Sequence, residues 1–254
     1  MNTEWDLVFV GIAALVAGAV NAIAGGGTLI TFPILSALGV PLVAASVTNI
    51  VALCPGYLGG ALAQRKDLRG QTRLLWLLLP AAVLGGLGGG ALLLNTEEKS
   101  FRTLVPFLIL GASALMAVQD PLRAWIAKRG ATVKSALLSG IGVAILIAFA
   151  ALYGGYFNAG LSIVVMGVLG LLLDETSTRL NAVKQAISFS TTGAAAVFFV
   201  FSADVLWVAA LVMALAALAG GNLGGRLASR IKPATLRWCV VAAGTVVGIT
   251  YLVR

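Results

Sequence analysis

The chain has 254 residues, 60% of them hydrophobic and only 10% charged, with a mean hydropathy of +1.03. That balance excludes a soluble domain and predicts an all-α polytopic membrane protein. The formal net charge of +8 does not point to nucleic acid, because the basic residues sit in short clusters between apolar runs, where they set membrane orientation.

Histidine is absent, which removes serine–histidine hydrolysis, HExxH zinc sites and histidine proton relays. The nine acidic residues fall at or near segment ends, so no intramembrane carboxylate pair is available. No enzyme, cofactor or metal site is expected. Cys54 and Cys239 lie in separate apolar runs and are read as small hydrophobes without a disulfide.

In chain order, the apolar segments are 5–23, 28–39, 42–63, 74–94, 103–118, 135–153, 161–173, 176–201, 205–225 and 237–252. The first follows Glu4 and Asp6 rather than a basic n-region, so it is expected to belong to the mature fold. Residues 5–39 carry no charge after Asp6, and one helix of that length would be about 52 Å long, against a hydrocarbon core of about 30 Å. The run must therefore break, and Gly25-Gly26-Gly27 is where it can. A break at that depth must face protein or a water-filled cavity, the construction transporters use to aim half-helix ends at a ligand. Close helix packing is the plainer role for such glycines. The segments 28–39 and 161–173 are short, as half-helices following each break would be.

Charge placement sets the number of crossings. Arg65, Lys66, Arg69 and Arg73 form one cluster, Arg123, Lys128, Arg129 and Lys134 a second, and Arg226, Arg230, Lys232 and Arg237 a third. All three face the cytoplasm only if 5–39 and 135–173 each count as a down-and-up pair, giving five segments per half. The expected architecture is two repeated halves, 1–130 and 131–254, inverted relative to each other, each opening with a glycine-broken helix and a short helix. The spacing echoes this: Gly27 to Asn49 is 22 residues, and Gly160 to Asn181 is 21.

The candidate binding residues cluster at the breaks. Asn21, Gly25, Gly26, Gly27 and Thr28 lie at the first, with Thr48 and Asn49 on the following long segment. Tyr153, Tyr156, Asn158 and Gly160 lie at the second. Asn181, Lys184, Gln185 and Ser188 recur at i, i+3, i+4 and i+7 and share one helix face. An intramembrane lysine normally faces the bundle interior, although one this close to a segment start could also snorkel to the headgroups. Every element of this set is a donor or a positive charge, which suits a small oxyanion and no cation. With no histidine and no buried carboxylate, proton coupling would have to use Asp174, Glu175, Lys184 or the substrate itself.

The runs Ala17–Pro33, Gly39-Val40-Pro41 and Thr48-Asn49, with Tyr153–Gly160 and Asn181–Lys184 later, resemble the two signature blocks of the TauE/SafE family of sulfite and organosulfonate exporters, also called toluenesulfonate uptake permeases. The resemblance covers essentially the whole chain. It implies a multi-pass secondary transporter of the inner (plasma) membrane that moves sulfite, organosulfonates or related sulfur-containing anions through a site between the two halves. Its partners would be the lipid bilayer and a small anionic substrate, with no nucleic acid; proton or ion coupling and a homodimer stay open. The alternatives are an anion channel, a carrier of small carboxylates, or a non-transporting membrane subunit.

Overall fold

The computed structural model describes residues 4–119, 121, 140–173, 175–202, 204–228, 230 and 233–253. Ten helices run through them: α1 Glu4–Ile23, α2 Thr28–Ala37, α3 Leu42–Ala63, α4 Thr72–Leu94, α5 Glu98–Ala117, α6 Gly140–Tyr156, α7 Leu161–Leu172, α8 Ser177–Ser202, α9 Trp207–Leu227 and α10 Pro233–Val253. Seven are long and apolar enough to cross a membrane. The shorter α2, α6 and α7, at about 15, 26 and 18 Å, fall below that length. Both breaks fall where the sequence places them. The second basic cluster and the boundary at residue 130 lie outside the described residues.

Two helix starts differ from the sequence reading. Helix α5 begins at Glu98 rather than 103, because Glu98 has structural work: its Oε1 and Oε2 accept the N–H groups of Leu42 (2.6 Å) and Val43 (3.0 Å) at the start of α3. Helix α10 begins at Pro233 rather than 237, a residue suited to a first helical position, so Arg237 stands inside the helix rather than in a loop.

Helix α9 packs against α1 and α3, and α4 packs against α6 and α8; α5 pairs with α10, and α3 with α8. Small residues make these approaches close. A Cβ on Gly220 would meet the Leu15 carbonyl of α1, and one on Gly221 the Gly56 carbonyl of α3. On α4, Gly85 lies against Ala148 of α6, and Gly86 against Thr191 of α8. Such interfaces bring backbones together where lipid provides no hydrophobic driving force between helices. The contacts Gly11–Val212 and Gly18–Ala217 set α1 parallel to α9, while Gly85–Ala148 and Gly89–Leu152 set α6 parallel to α4. Large apolar side chains such as Phe9, Trp76, Phe107, Phe149 and Phe201 point outward, as a lipid-facing surface requires.

Candidate functional site

The first break is built by Asn21 and two left-handed glycines. The N–H groups of Ala24 and Gly25 both return to the Val20 carbonyl at 2.8 Å, ending α1. Gly25 (φ 85°) and Gly26 (φ 89°) then turn the chain in a region that favours glycine. A side chain at either position would also crowd a neighbour: a Cβ on Gly25 would lie 3.0 Å from Ser162 Cβ, and one on Gly26 2.5 Å from Met116 Sδ. Gly27 opens α2, and its N–H donates to Asn21 Oδ1 at 2.7 Å, so Asn21 closes the turn that follows it. Thr28 and Thr31 tie α2 to α3 through Asn49, whose Nδ2 donates to Thr28 Oγ1 (3.2 Å) and whose Oδ1 accepts from Thr31 Oγ1. Thr48 Oγ1 accepts the N–H of Leu206 at 3.1 Å.

The second break uses a different device. Asn158 takes a left-handed φ of 65°, which asparagine tolerates better than most residues, and Gly160 repeats it at 80° before α7 begins. Tyr153 donates its hydroxyl to the Ala159 carbonyl at 2.5 Å, and Tyr156 to Thr96 Oγ1 at 3.3 Å. Both tyrosines thus brace the break. Tyr57 of α3, absent from the sequence-derived set, is 1% exposed and donates to Asn158 Oδ1 at 3.4 Å. The two breaks meet: Gly25 abuts Ser162, and the rings of Phe32 and Phe157 pack edge-on with centroids 5.2 Å apart.

Helix α8 brings its polar stripe to this junction. Lys184 is 2% exposed, and its Nζ donates to the Asn21 carbonyl at 3.2 Å. Asn181 Nδ2 donates to the Ala22 carbonyl (3.1 Å) and to Gln64 Oε1 (3.0 Å). Two side chains of α8 therefore satisfy carbonyls that the end of α1 leaves open, with the ammonium at the negative end of the helix dipole. The lysine faces the bundle interior and not the headgroups. One position further, Gln185 is packed against Gly60 and Ser188 is buried; neither side chain has a hydrogen-bond partner among the described residues.

A cavity of about 640 Å³ opens beside this junction. Ser162, Asn181 and Lys184 line it together with the basic residues Lys66, Arg226 and Arg237, against one acidic residue, Asp67. Lys66 and Arg226 are exposed, whereas Arg237 is 5% exposed in the first turn of α10. The loop after α3, the end of α5 at Gln119, the start of α8 and the end of α9 thus share one face of the molecule. Of the carboxylates considered for coupling, Glu175 pairs with Arg179 at 2.7 Å and accepts from Gln71 at 2.8 Å; Asp174 lies outside the described residues.

The structure therefore joins Asn21, Gly25, Asn158, Asn181, Lys184 and Gln185 around one junction, and uses Thr28, Thr48 and Asn49 to fasten helices. Sequence reasoning missed Tyr57, Gln64, Ser162 and Arg237. Tyr57 carried a signal, since a tyrosine well inside an apolar run is not at an interface. Gln64 and Arg237 were hidden among loop charges.

A family model described as "Sulfite exporter TauE/SafE" matches residues 10–251. The chain is 29% identical over 213 residues to a "Probable membrane transporter protein" of Haemophilus influenzae, covering 84% of this chain and 81% of that one. It is 27% identical to "Probable membrane transporter protein ORF9" of Sinorhizobium sp, covering 87% and 83%. It is 21% identical to "Probable membrane transporter protein YfcA" of Escherichia coli K12, covering 84% and 77%.

Proposed function

The chain belongs to the TauE/SafE sulfite exporter family and is a multi-pass membrane transporter rather than an enzyme, and from that premise we propose that it carries small sulfur-containing anions such as sulfite or organosulfonates. The observation that carries this reading is the 640 Å³ cavity, with exposed basic residues along its wall and a buried lysine at the helix junction. Lys66 and Arg226 raise the local anion concentration, and Lys184 meets the anion where water is excluded. Asn21, Ser162 and Asn181 supply neutral polar contacts, and the glycines let backbone approach. The positive-inside rule orients this face to the cytoplasm of the inner membrane.

The two halves act as an inverted repeat with the site between them. Support comes from the reciprocal packing, in which the fourth helix of each half lies across the first and third of the other, and from the opposite directions of α1 and α6. Exchange of the two arrangements would move the cavity from one face to the other.

Counterflow in proteoliposomes tests the proposal. Labelled taurine, sulfite or methanesulfonate outside should enter faster when the same unlabelled anion is loaded inside. Flux indifferent to the trans anion would mark a channel, and flux of acetate alone would mark a carboxylate carrier.

A further inference from the structure

We infer that the polar cluster bordering Lys184, formed by Asn21, Tyr57, Asn158, Ser162 and Gln185, seats a dehydrated oxyanion of a single negative charge, so that the transporter prefers monoanions to dianions; this rests on the anion-carrier reading above. Three amides of the cluster carry donors without partners among the described residues: Asn21 Nδ2, Asn158 Nδ2 and Gln185 Nε2. All three residues are at least 98% buried, being 2%, 2% and 0% exposed. They come from three separate segments, the end of α1, the second break and α8. Unpaired buried donors cost stability, and a binding site is a recognised place to find them.

The cluster is connected. Tyr57 donates its hydroxyl to Asn158 Oδ1. Gln185 lies against Gly60, one turn along α3 from Tyr57, and Ser162 lies against Gly25. Ser162 and Lys184 also line the cavity, so an anion entering from the basic face meets the border of the cluster at these two residues. The Tyr57–Asn158 bond, at 3.4 Å, is long enough to yield to a better acceptor.

Charge then decides the substrate class. Lys184 is the charged member of the cluster, and the other members are neutral amides and hydroxyls, whose unpartnered atoms include the acceptor Gln185 Oε1 beside the donors. Lys66 and Arg226 are exposed to solvent and screened, and Arg237 stands on the cavity wall outside the amide cluster. The cost of dehydrating an ion grows with the square of its charge, so a dianion costs about four times as much as a monoanion. One ammonium offsets one charge, and amide and hydroxyl donors satisfy the remaining oxygens without adding another.

The test uses the full-length protein in nanodiscs, with sodium methanesulfonate as the monoanion and sodium sulfate as the dianion, at equal ionic strength set with chloride. Methanesulfonate should raise the melting temperature and drive counterflow, with sulfate binding at least about tenfold more weakly. Tyr57→Phe should weaken methanesulfonate about tenfold and, by leaving Asn158 Oδ1 without its donor, lower the melting temperature of the ligand-free protein. Gln185→Met serves as the second variant, with the same expected loss. Sulfate binding as tightly as methanesulfonate would overturn this inference and leave the anion carrier standing. Wild-type affinity in both variants would overturn it as well. Counterflow by neither anion, with no stabilisation by either, would remove the carrier reading and this inference together.

Discussion

Lys184→Met separates the lysine's binding role from its structural one. The ammonium is 2% exposed and donates to the Asn21 carbonyl at 3.2 Å. Losing that charged hydrogen bond costs about 1.5–3 kcal/mol. Removing a buried ammonium returns a desolvation cost of several kcal/mol, and Asn181 still holds the neighbouring Ala22 carbonyl. The ligand-free variant should therefore melt at or above the wild-type temperature. Binding should behave differently. At a separation of about 4 Å and an effective dielectric near 20, an ammonium and a bound anion attract by about 4 kcal/mol. Loss of that attraction raises Kd by roughly three orders of magnitude. Differential scanning fluorimetry of the purified protein, with and without methanesulfonate, reads both quantities. Lys184→Arg should also bind poorly, because a planar fork does not replace a compact ammonium. A Lys184→Met protein that binds within about threefold of wild type would refute the reasoning and leave the lysine as a cap on α1 alone.

Other substitutions test the remaining parts. Asn21→Asp keeps the acceptor for the Gly27 N–H but places a fixed negative charge at the site, so expression should persist while counterflow is lost. Asn21→Leu should instead lower stability by about 1–3 kcal/mol, seen as a lower melting temperature, because that N–H loses its partner. Glu98→Ala removes both acceptors at the start of α3 and should cost about 1–2 kcal/mol in thermal unfolding, with Glu98→Gln costing less. Gly220→Ala drives a methyl into the Leu15 carbonyl and should cost about 1–3 kcal/mol or lower the yield of folded protein. In a variant lacking Cys54 and Cys239, a cysteine at 69 or 230 should resist impermeant reagents in intact cells and one at 97 should react; the opposite pattern would overturn the orientation.

Much of the architecture is legible because a bilayer imposes a length. The run 5–39 cannot cross once, so Gly25–Gly27 had to break it, and the placement of the basic clusters called for a matching break before α7. The burial of Lys184 was legible too, since its neighbours Asn181, Gln185 and Ser188 fall on one helix face. Its partner was not. The carbonyl of Asn21 stands 163 positions away, and its availability depends on how α1 ends. Asn49 and Gln185 illustrate a second limit. Both are polar residues in apolar runs, yet Asn49 is engaged with two threonines while Gln185 has no partner among the described residues. Composition is the same for a fastener and for a ligand group; only the inventory of partners separates them.

The cross-packing of α4 and α9 has a consequence for how the protein is made. Helices α1 and α3 present glycine and alanine faces whose partner is α9, and about 140 residues separate Ala63 from Trp207. At about 5–20 residues per second, that interval is roughly 7–30 s of synthesis. During it the first helices sit in the membrane with lipid against surfaces shaped for another backbone, and α4 waits likewise for α6 and α8. Neither half can complete its own assembly, so a ribosome stalled after α5 should leave a protease-sensitive intermediate. Pulse-chase measurement of its half-life, against that of the full chain, would show how long the membrane must hold an unfinished protein.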